Sequence, residues 1–192
     1  MLIRHGRIDA ERRAKGARRC IGWTDLGLVD VEETRAQMRR HAEALGEVTR
    51  VISSDLVRAT HTAELLCAQL GIPGYEEDAR LRELHFGRWE GKTWPEIEAA
   101  QPEEYAQFMA NWRTRPTPGG ESYAMLRGRV RAFWEDVSAE DAQAAVVIVA
   151  HHGSLRALRG VLLGLGDDEA MGQSWSYGDR VRVTVPRPSK ET

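Results

Sequence analysis

The 192-residue chain balances 27 lysines and arginines against 29 aspartates and glutamates, a formal charge of -2, with 42% hydrophobic and 29% charged residues. That composition belongs to a soluble globular protein with one sizeable core, and it excludes a disordered or fibrous chain and any nucleic-acid or anionic-membrane partner held by bulk charge. No run approaches the roughly 18 apolar residues of a membrane span, and Leu2-Ile3-Arg4-His5 opens the chain without a signal-type apolar region, so a cytoplasmic location is expected.

In chain order, Leu2-Ile3 reads as a short buried strand, and the polar pair Arg4-His5 and then Gly6 follow at once. Residues 31–45 are rich in helix formers. Val51-Ile52-Ser53 is a second apolar run without alternation, the pattern of a central parallel strand covered on both faces. Ser54 is placed as the N-cap of a helix over 55–70, which Gly71 and Pro73 close. The stretch 81–91 (LRELHFGRWEG) then leads into a segment of different composition. Residues 92–121 hold four of the seven prolines together with Trp94, Tyr105, Phe108 and Trp112, and read as a small helical cap insertion. There Thr93 and Glu96 form a capping box with Pro95 in the first turn, and Tyr105, Phe108, Met109 and Trp112 share a packing face. Val146–Ala150 is the third apolar run, Ser154 is placed at the start of the next helix, and 180–185 alternate as a strand at or near a sheet edge before Pro186.

This βα order predicts an α/β fold: three layers, αβα, around a mostly parallel sheet with helices on both faces. It is read as one domain over 1–192 with the cap at about 92–121. Cys20 and Cys67 lie in no C-x-x-C or His/Cys cluster, so neither zinc nor a disulfide is expected, and Cys67 reads as a small core residue.

Ligands of open α/β sheets sit beyond the carboxyl ends of the strands. The residues there are Arg4-His5-Gly6, Ser53 to Arg58, and His151-His152-Gly153-Ser154. Two guanidiniums and two imidazoles on one rim suit a compact multivalent anion, and helix starts at Ser54 and Ser154 would add N–H donors. A small phosphomonoester is the natural substrate. The sequence has no P-loop and no evident carboxylate cluster for magnesium, so no metal or other cofactor is expected and a neutral histidine is the candidate nucleophile. The leaving alkoxide needs a proton donor; Glu83, in the apolar stretch 81–91, is the candidate and Glu90 its competitor.

These residues resemble a known family, the histidine phosphatases related to cofactor-dependent phosphoglycerate mutase. The likeness runs in order through L-I-R-H-G at 2–6, G-W-T-D-L-G-L at 22–28, S-S-D-L-V-R-A-T-H-T-A at 53–63, L-R-E-L-H-F-G-R-W-E-G at 81–91, P-G-G-E-S at 118–122 and A-H-H-G-S-L-R-A-L at 150–158. The resemblance implies that His5 is the phosphorylated nucleophile, that Arg4 and Arg58 hold the phosphate, that Glu83 is acid and then base, and that His151 stabilises the transferring group. His152 competes for that last role; the family's pattern of a catalytic His ahead of a Leu-Arg pair, here Leu155-Arg156, implies His151 and leaves His152 on the pocket rim.

The departures also carry information. Arg7 follows R-H-G where the family usually has Glu, Gln or Pro, and Arg12, Arg13, Lys15, Arg18 and Arg19 make the next loop basic. Family mutases carry an Asn and a Tyr where this chain has Glu11 and Phe86, and a hydroxyl where it has Ile21, so water is expected as the phosphoryl acceptor. The run 18–26 and the Trp-rich cap look most like α-ribazole phosphatases, with Trp23, Trp94 or Trp112 available to stack on a base. Alternatives are a broad sugar-phosphate or nucleotide phosphatase, a mutase and an inactive phospholigand-binding protein. The sequence leaves the oligomeric state open, a homodimer included.

Overall fold

The computed structural model describes residues 1–9, 19–140 and 145–185. Its frame is a five-stranded sheet made from β1 (Leu2–Arg4), β2 (Arg50–Ser53), β3 (Glu76–Glu77), β4 (Val146–Ala150) and β5 (Arg180–Val181), ordered β3-β2-β4-β1-β5. Neighbours pair in parallel, except that β5 runs antiparallel to β1. The α/β expectation is met.

Successive side chains of a strand point to opposite faces, and here both faces are apolar. Ile3, Val51, Val147 and Val149 pack under α1 (Val31–Ala44) and α2 (Val57–Leu70), with Met38, Ala59, Ala63 and Leu66. Leu2, Ile52, Ile148 and Ala150 pack under α5 (Tyr123–Glu140) and α6 (His152–Leu163), with Leu126, Phe133, Leu155 and Leu158. That two-sided burial explains why the three strand runs lack alternation.

Between these layers in sequence come α3 (Trp94–Ala100) and α4 (Pro102–Asn111). Trp89, Ile97, Phe108 and Cys20 form a separate small core there. The Thr93–Glu96 capping box is present, and of the packing stripe Phe108 is buried while Met109 is exposed. A short α7 (Asp167–Met171) follows α6.

Several expectations are corrected. α2 starts at Val57, with Leu56 at the cap position and no side-chain cap. Ser54 stays in the extended chain beyond β2, its N–H bonded to Val149 O at 2.9 Å, while the Val57 N–H is taken by Asp25 Oδ1 at 2.8 Å from a distant loop. Likewise α6 starts at His152 with His151 at the cap position, and Ser154 lies in its first turn with Oγ accepting the His151 N–H at 3.2 Å. β5 covers only Arg180–Val181 of the alternating run, and it is an edge strand as expected. The 18-residue α5 and the two-residue β3 went unpredicted.

Candidate active site

The order β2-β4-β1 sets three carboxyl ends side by side. The ladder continues past them: His5 N–H donates to Ala150 O at 3.0 Å and Ser54 N–H to Val149 O at 2.9 Å. His5 and His151 are thereby brought together, with ring centroids 5.0 Å apart. Arg4, His5, Arg58 and His151 are all buried.

The tautomers follow from their partners. His5 Nδ1 lies 2.7 Å from Gly6 O, and a carbonyl can only accept, so Nδ1 carries the proton and Nε2 keeps its lone pair. His151 is the reverse case. Arg58 donates Nε–H to His151 Nδ1 at 3.1 Å, which places the ring proton on Nε2, from where it donates to Ser54 Oγ at 2.8 Å. Burial, reinforced by Arg58 for both rings, holds both imidazoles well below the usual histidine range, so both are neutral at physiological pH.

Arg58 is fixed from three sides. Beyond His151, it donates to Gly22 O at 2.6 Å and to Thr24 O at 2.9 Å. Burial lowers its pKa and the Glu83, Asp25 and Glu90 carboxylates oppose that shift. The loop presenting those carbonyls is tied down by Glu90, whose carboxylate accepts from Gly22 N (3.1 Å), Trp23 N (2.9 Å), Thr24 Oγ1 (2.8 Å) and Phe86 N (3.2 Å). Glu90 is thus occupied in organising this loop.

Glu83 is half-buried at the edge of the site. Its Oε2 accepts from Gly153 N at 2.9 Å, in the first turn of α6, and Oε1 accepts from Leu84 N at 2.8 Å. A Cβ at Gly153 would collide with Glu83 Oε1. The segment bearing Glu83 is clamped by Arg129 of α5, which donates to Arg80 O at 2.6 Å, Arg82 O at 2.7 Å and Glu83 O at 2.8 Å while pairing with Glu121 at 2.9 Å. The carboxyl therefore reaches the same helix N-terminus whose cap position is His151.

Arg4 reaches the end of β1 with NH1 donating to Trp175 O, and the Tyr177 ring covers its guanidinium. His152 is half-buried, and its Nε2 accepts the Trp175 N–H at 3.4 Å. Arg7 points away to Asp30 at the start of α1, in an exposed pair at 3.5 Å. Of the basic run, Arg19 pairs with Glu96, whereas Arg12, Arg13, Lys15 and Arg18 lie outside the described residues.

Of the three tryptophans proposed for base stacking, Trp94 packs against Phe86, Trp89, Tyr105 and Phe108, and Trp112 against Tyr123. Trp23 alone of the three is exposed, at 37%, with its indole N–H on Glu83 O at 2.9 Å. Sequence reasoning missed Ser54 as the partner of His151, and it missed Arg129 and Tyr177. Ser54 stood in view at the strand end, but nothing local marks the other two.

A groove of about 380 Å³ lies elsewhere, at the β3 edge. Four of the carboxylates around it are paired: Glu76 and Glu140 with Arg50, Asp78 and Asp136 with Arg80.

Comparison with known proteins gives consistent results. The family model described as "Histidine phosphatase superfamily (branch 1)" matches residues 1–186. The chain is 32% identical over 175 residues to the glucosyl-3-phosphoglycerate phosphatase of Mycolicibacterium vanbaalenii, covering 88% of this chain and 75% of that one. It is also 32% identical over 164 residues to a metal-independent phosphoserine phosphatase of Arabidopsis thaliana, covering 82% of this chain and 66% of that one. Among solved structures, the α-ribazole phosphatase of Shigella flexneri matches with a TM-score of 0.78 and 25% identity, over 92% of this chain and 85% of that one.

Proposed function

The chain belongs to the histidine phosphatase superfamily and is a phosphatase, and we propose that it hydrolyses a small phosphomonoester by passing the phosphoryl group through His5. The observation that carries this reading is the His5 ring: neutral, protonated on Nδ1 by its bond to Gly6 O, and flanked by the cations of Arg4 and Arg58. An unprotonated Nε2 is a nucleophile without any preceding proton transfer, and two guanidiniums match the oxygens of a phosphoryl group.

In the first step Nε2 of His5 bonds to phosphorus as the P–O ester bond breaks, and Glu83, having taken up the proton that a monoanionic phosphomonoester brings, gives it to the leaving alkoxide. In the second, Glu83 takes a proton from water, the resulting hydroxide attacks phosphorus, the N–P bond breaks and orthophosphate leaves. His151 turns its Nε2–H from Ser54 Oγ to a phosphoryl oxygen, with Arg58 holding the ring. Charge spreads over those oxygens in the transition state, so these preorganised donors are the main source of acceleration. His152, on the rim, contributes to the phosphate pocket. Residues 92–121 act as a cap beside it within a single domain.

For the substrate, we favour α-ribazole phosphate. Support comes from the likeness to the Shigella enzyme; Trp23, beside Glu83, keeps a partly exposed indole whose ring already carries the His85 ring at 4.5 Å and the Arg82 guanidinium at 4.7 Å, so a flat base would extend or replace that stack. A second reading, a different sugar or hydroxy-acid phosphate, draws on the relatives named for glucosyl-3-phosphoglycerate and phosphoserine.

Hydrolysis of a chromogenic phosphomonoester in excess chelator tests the class: activity should persist, and His5→Ala should lose it. Activity of His5→Ala close to wild type would remove His5 as nucleophile. A panel scored by kcat/KM, with α-ribazole phosphate, phosphoserine, glucosyl-3-phosphoglycerate and nucleotides, decides the substrate. A lead of tenfold or more for α-ribazole phosphate is expected; a lead for any other member overturns it.

A further inference from the structure

Tyr177 lies outside every motif that carries the family likeness, yet it touches two of the strand-end residues. Its ring centroid is 3.9 Å from Arg4 Cζ and 5.5 Å from the centroid of the His5 ring. The turn that delivers it is anchored to those same two residues. Gly178 N–H donates to His5 O at 3.0 Å, and Arg4 N–H donates to Asp179 O at 2.9 Å. From the other side, His41 Nε2 donates to Gly178 O at 2.7 Å, and Ser176 N–H donates to Asp179 Oδ2 at 2.6 Å. Gly178 has φ 75°, a left-handed backbone that favours glycine, and a Cβ there would push the Gln37 side-chain amide aside.

Such a turn holds its tip residue firmly, and the tip residue is an aromatic ring laid over a guanidinium. The Arg4 side chain is otherwise long and has several rotatable bonds. Its NH1 is fixed on Trp175 O, which sets one end of the fork. The Tyr177 ring face lies over the guanidinium, and its negative quadrupole attracts the cation.

We infer that Tyr177 is the positioning residue for Arg4, its ring face fixing the plane in which the guanidinium meets a phosphoryl group. This rests on the phosphatase reading and extends it to a residue that no motif marks. The hydroxyl is not required, because phenylalanine presents the same face. A leucine fills the space and excludes water but has no quadrupole and no flat surface.

The test compares wild type, Tyr177→Phe and Tyr177→Leu by calorimetric titration with orthophosphate and by steady-state kinetics on a chromogenic phosphomonoester, with thermal denaturation as the control. Tyr177→Phe should bind orthophosphate within about twofold of wild type. Tyr177→Leu should bind it about tenfold more weakly and show the loss mainly in KM, at an unchanged melting temperature. If the leucine variant does not fold, Tyr177→Gln takes its place with the same expectation. Wild-type orthophosphate affinity in the leucine or glutamine variant overturns the inference, and so does a phenylalanine variant as weak as leucine, which would put the effect in the hydroxyl. Wild-type protein that neither binds orthophosphate nor turns over phosphomonoesters sinks the phosphatase reading itself, and this inference with it.

Discussion

Arg58 donates its Nε–H to Nδ1 of His151 at 3.1 Å, and this bond decides where the His151 proton sits. A guanidinium nitrogen can only donate, so Nδ1 must accept and Nε2 must carry the hydrogen. Lysine in place of Arg58 keeps the charge but cannot serve His151, Gly22 O and Thr24 O together. Arg58→Lys is therefore expected to lose about a hundredfold or more in kcat/KM, the scale of one lost transition-state donor. A loss under threefold would contradict the role assigned to this contact.

Glu90 acts one step further out. It gathers the amides of the loop whose carbonyls hold Arg58, so Glu90→Gln, with one acceptor oxygen turned into a donor, should loosen that loop. A loss of about 1–3 kcal/mol in unfolding free energy is expected from the unmet donors, with kcat/KM falling in parallel with Arg58→Lys. Denaturant titration and kinetics measure both. A variant of unchanged stability and activity would show the loop to be held by other means.

Gly153→Ala probes the acid. The helix backbone accepts alanine, but its Cβ would strike Glu83 Oε1 and displace the carboxyl. General acid catalysis matters most when the leaving group is a poor one. In kcat/KM, which reports phosphoryl transfer to His5 and not the later step in which Glu83 is the base, an alkyl phosphate should fall by about a hundredfold, whereas p-nitrophenyl phosphate, whose phenolate leaves unaided, should fall far less. Equal losses for both would remove Glu83 as the acid.

The buried imidazoles make stability depend on pH. Both His5 and His151 are held well below their ordinary 6.5. As pH falls through 6.5, the unfolded chain takes up protons that the folded site refuses. Their contribution to stability is therefore full above 6.5 and declines below it, by about 1.4 kcal/mol per pH unit for each histidine until the folded values are reached. His41, also lowered, adds a contribution of the same sign. The ion-paired Glu76 and Asp78, lowered from 4.5 and 3.8, lose their contribution only at lower pH, which leaves the window from 6.5 to 5 to the imidazoles. His5→Asn should flatten the slope in that window, as read by urea unfolding; an unchanged slope would mean that His5 is not held neutral.

What could be read from the sequence depended on how local the determining contacts are. The strand runs were legible because burial on both faces leaves only apolar residues, and the polar residues directly after them then mark the candidate site: Arg4, His5 and His151. The capping box at Thr93 and Glu96 is likewise a contact three residues long. The start of α2 was not legible, because its first N–H is taken by Asp25, thirty-two residues earlier in the chain, and Ser54 spends its hydroxyl on His151 instead. β3 is two exposed glutamates with no apolar signal at all. α5 was there to be read: Tyr123, Leu126, Val130, Phe133 and Val137 recur at helical spacing and are all buried. Tyr177 and Arg129 could not be found that way, since each acts on segments far from it in sequence.

The proposed mechanism requires a phosphoryl group to reside covalently on His5 during turnover. Mixing enzyme with a substrate labelled in its phosphoryl group, quenching in alkali within milliseconds and mapping the labelled peptide measures this directly. A phosphohistidine, stable in alkali and lost in acid, is expected on the peptide containing His5, and none in His5→Ala. Turnover without any labelled protein, or label on another residue, would contradict it.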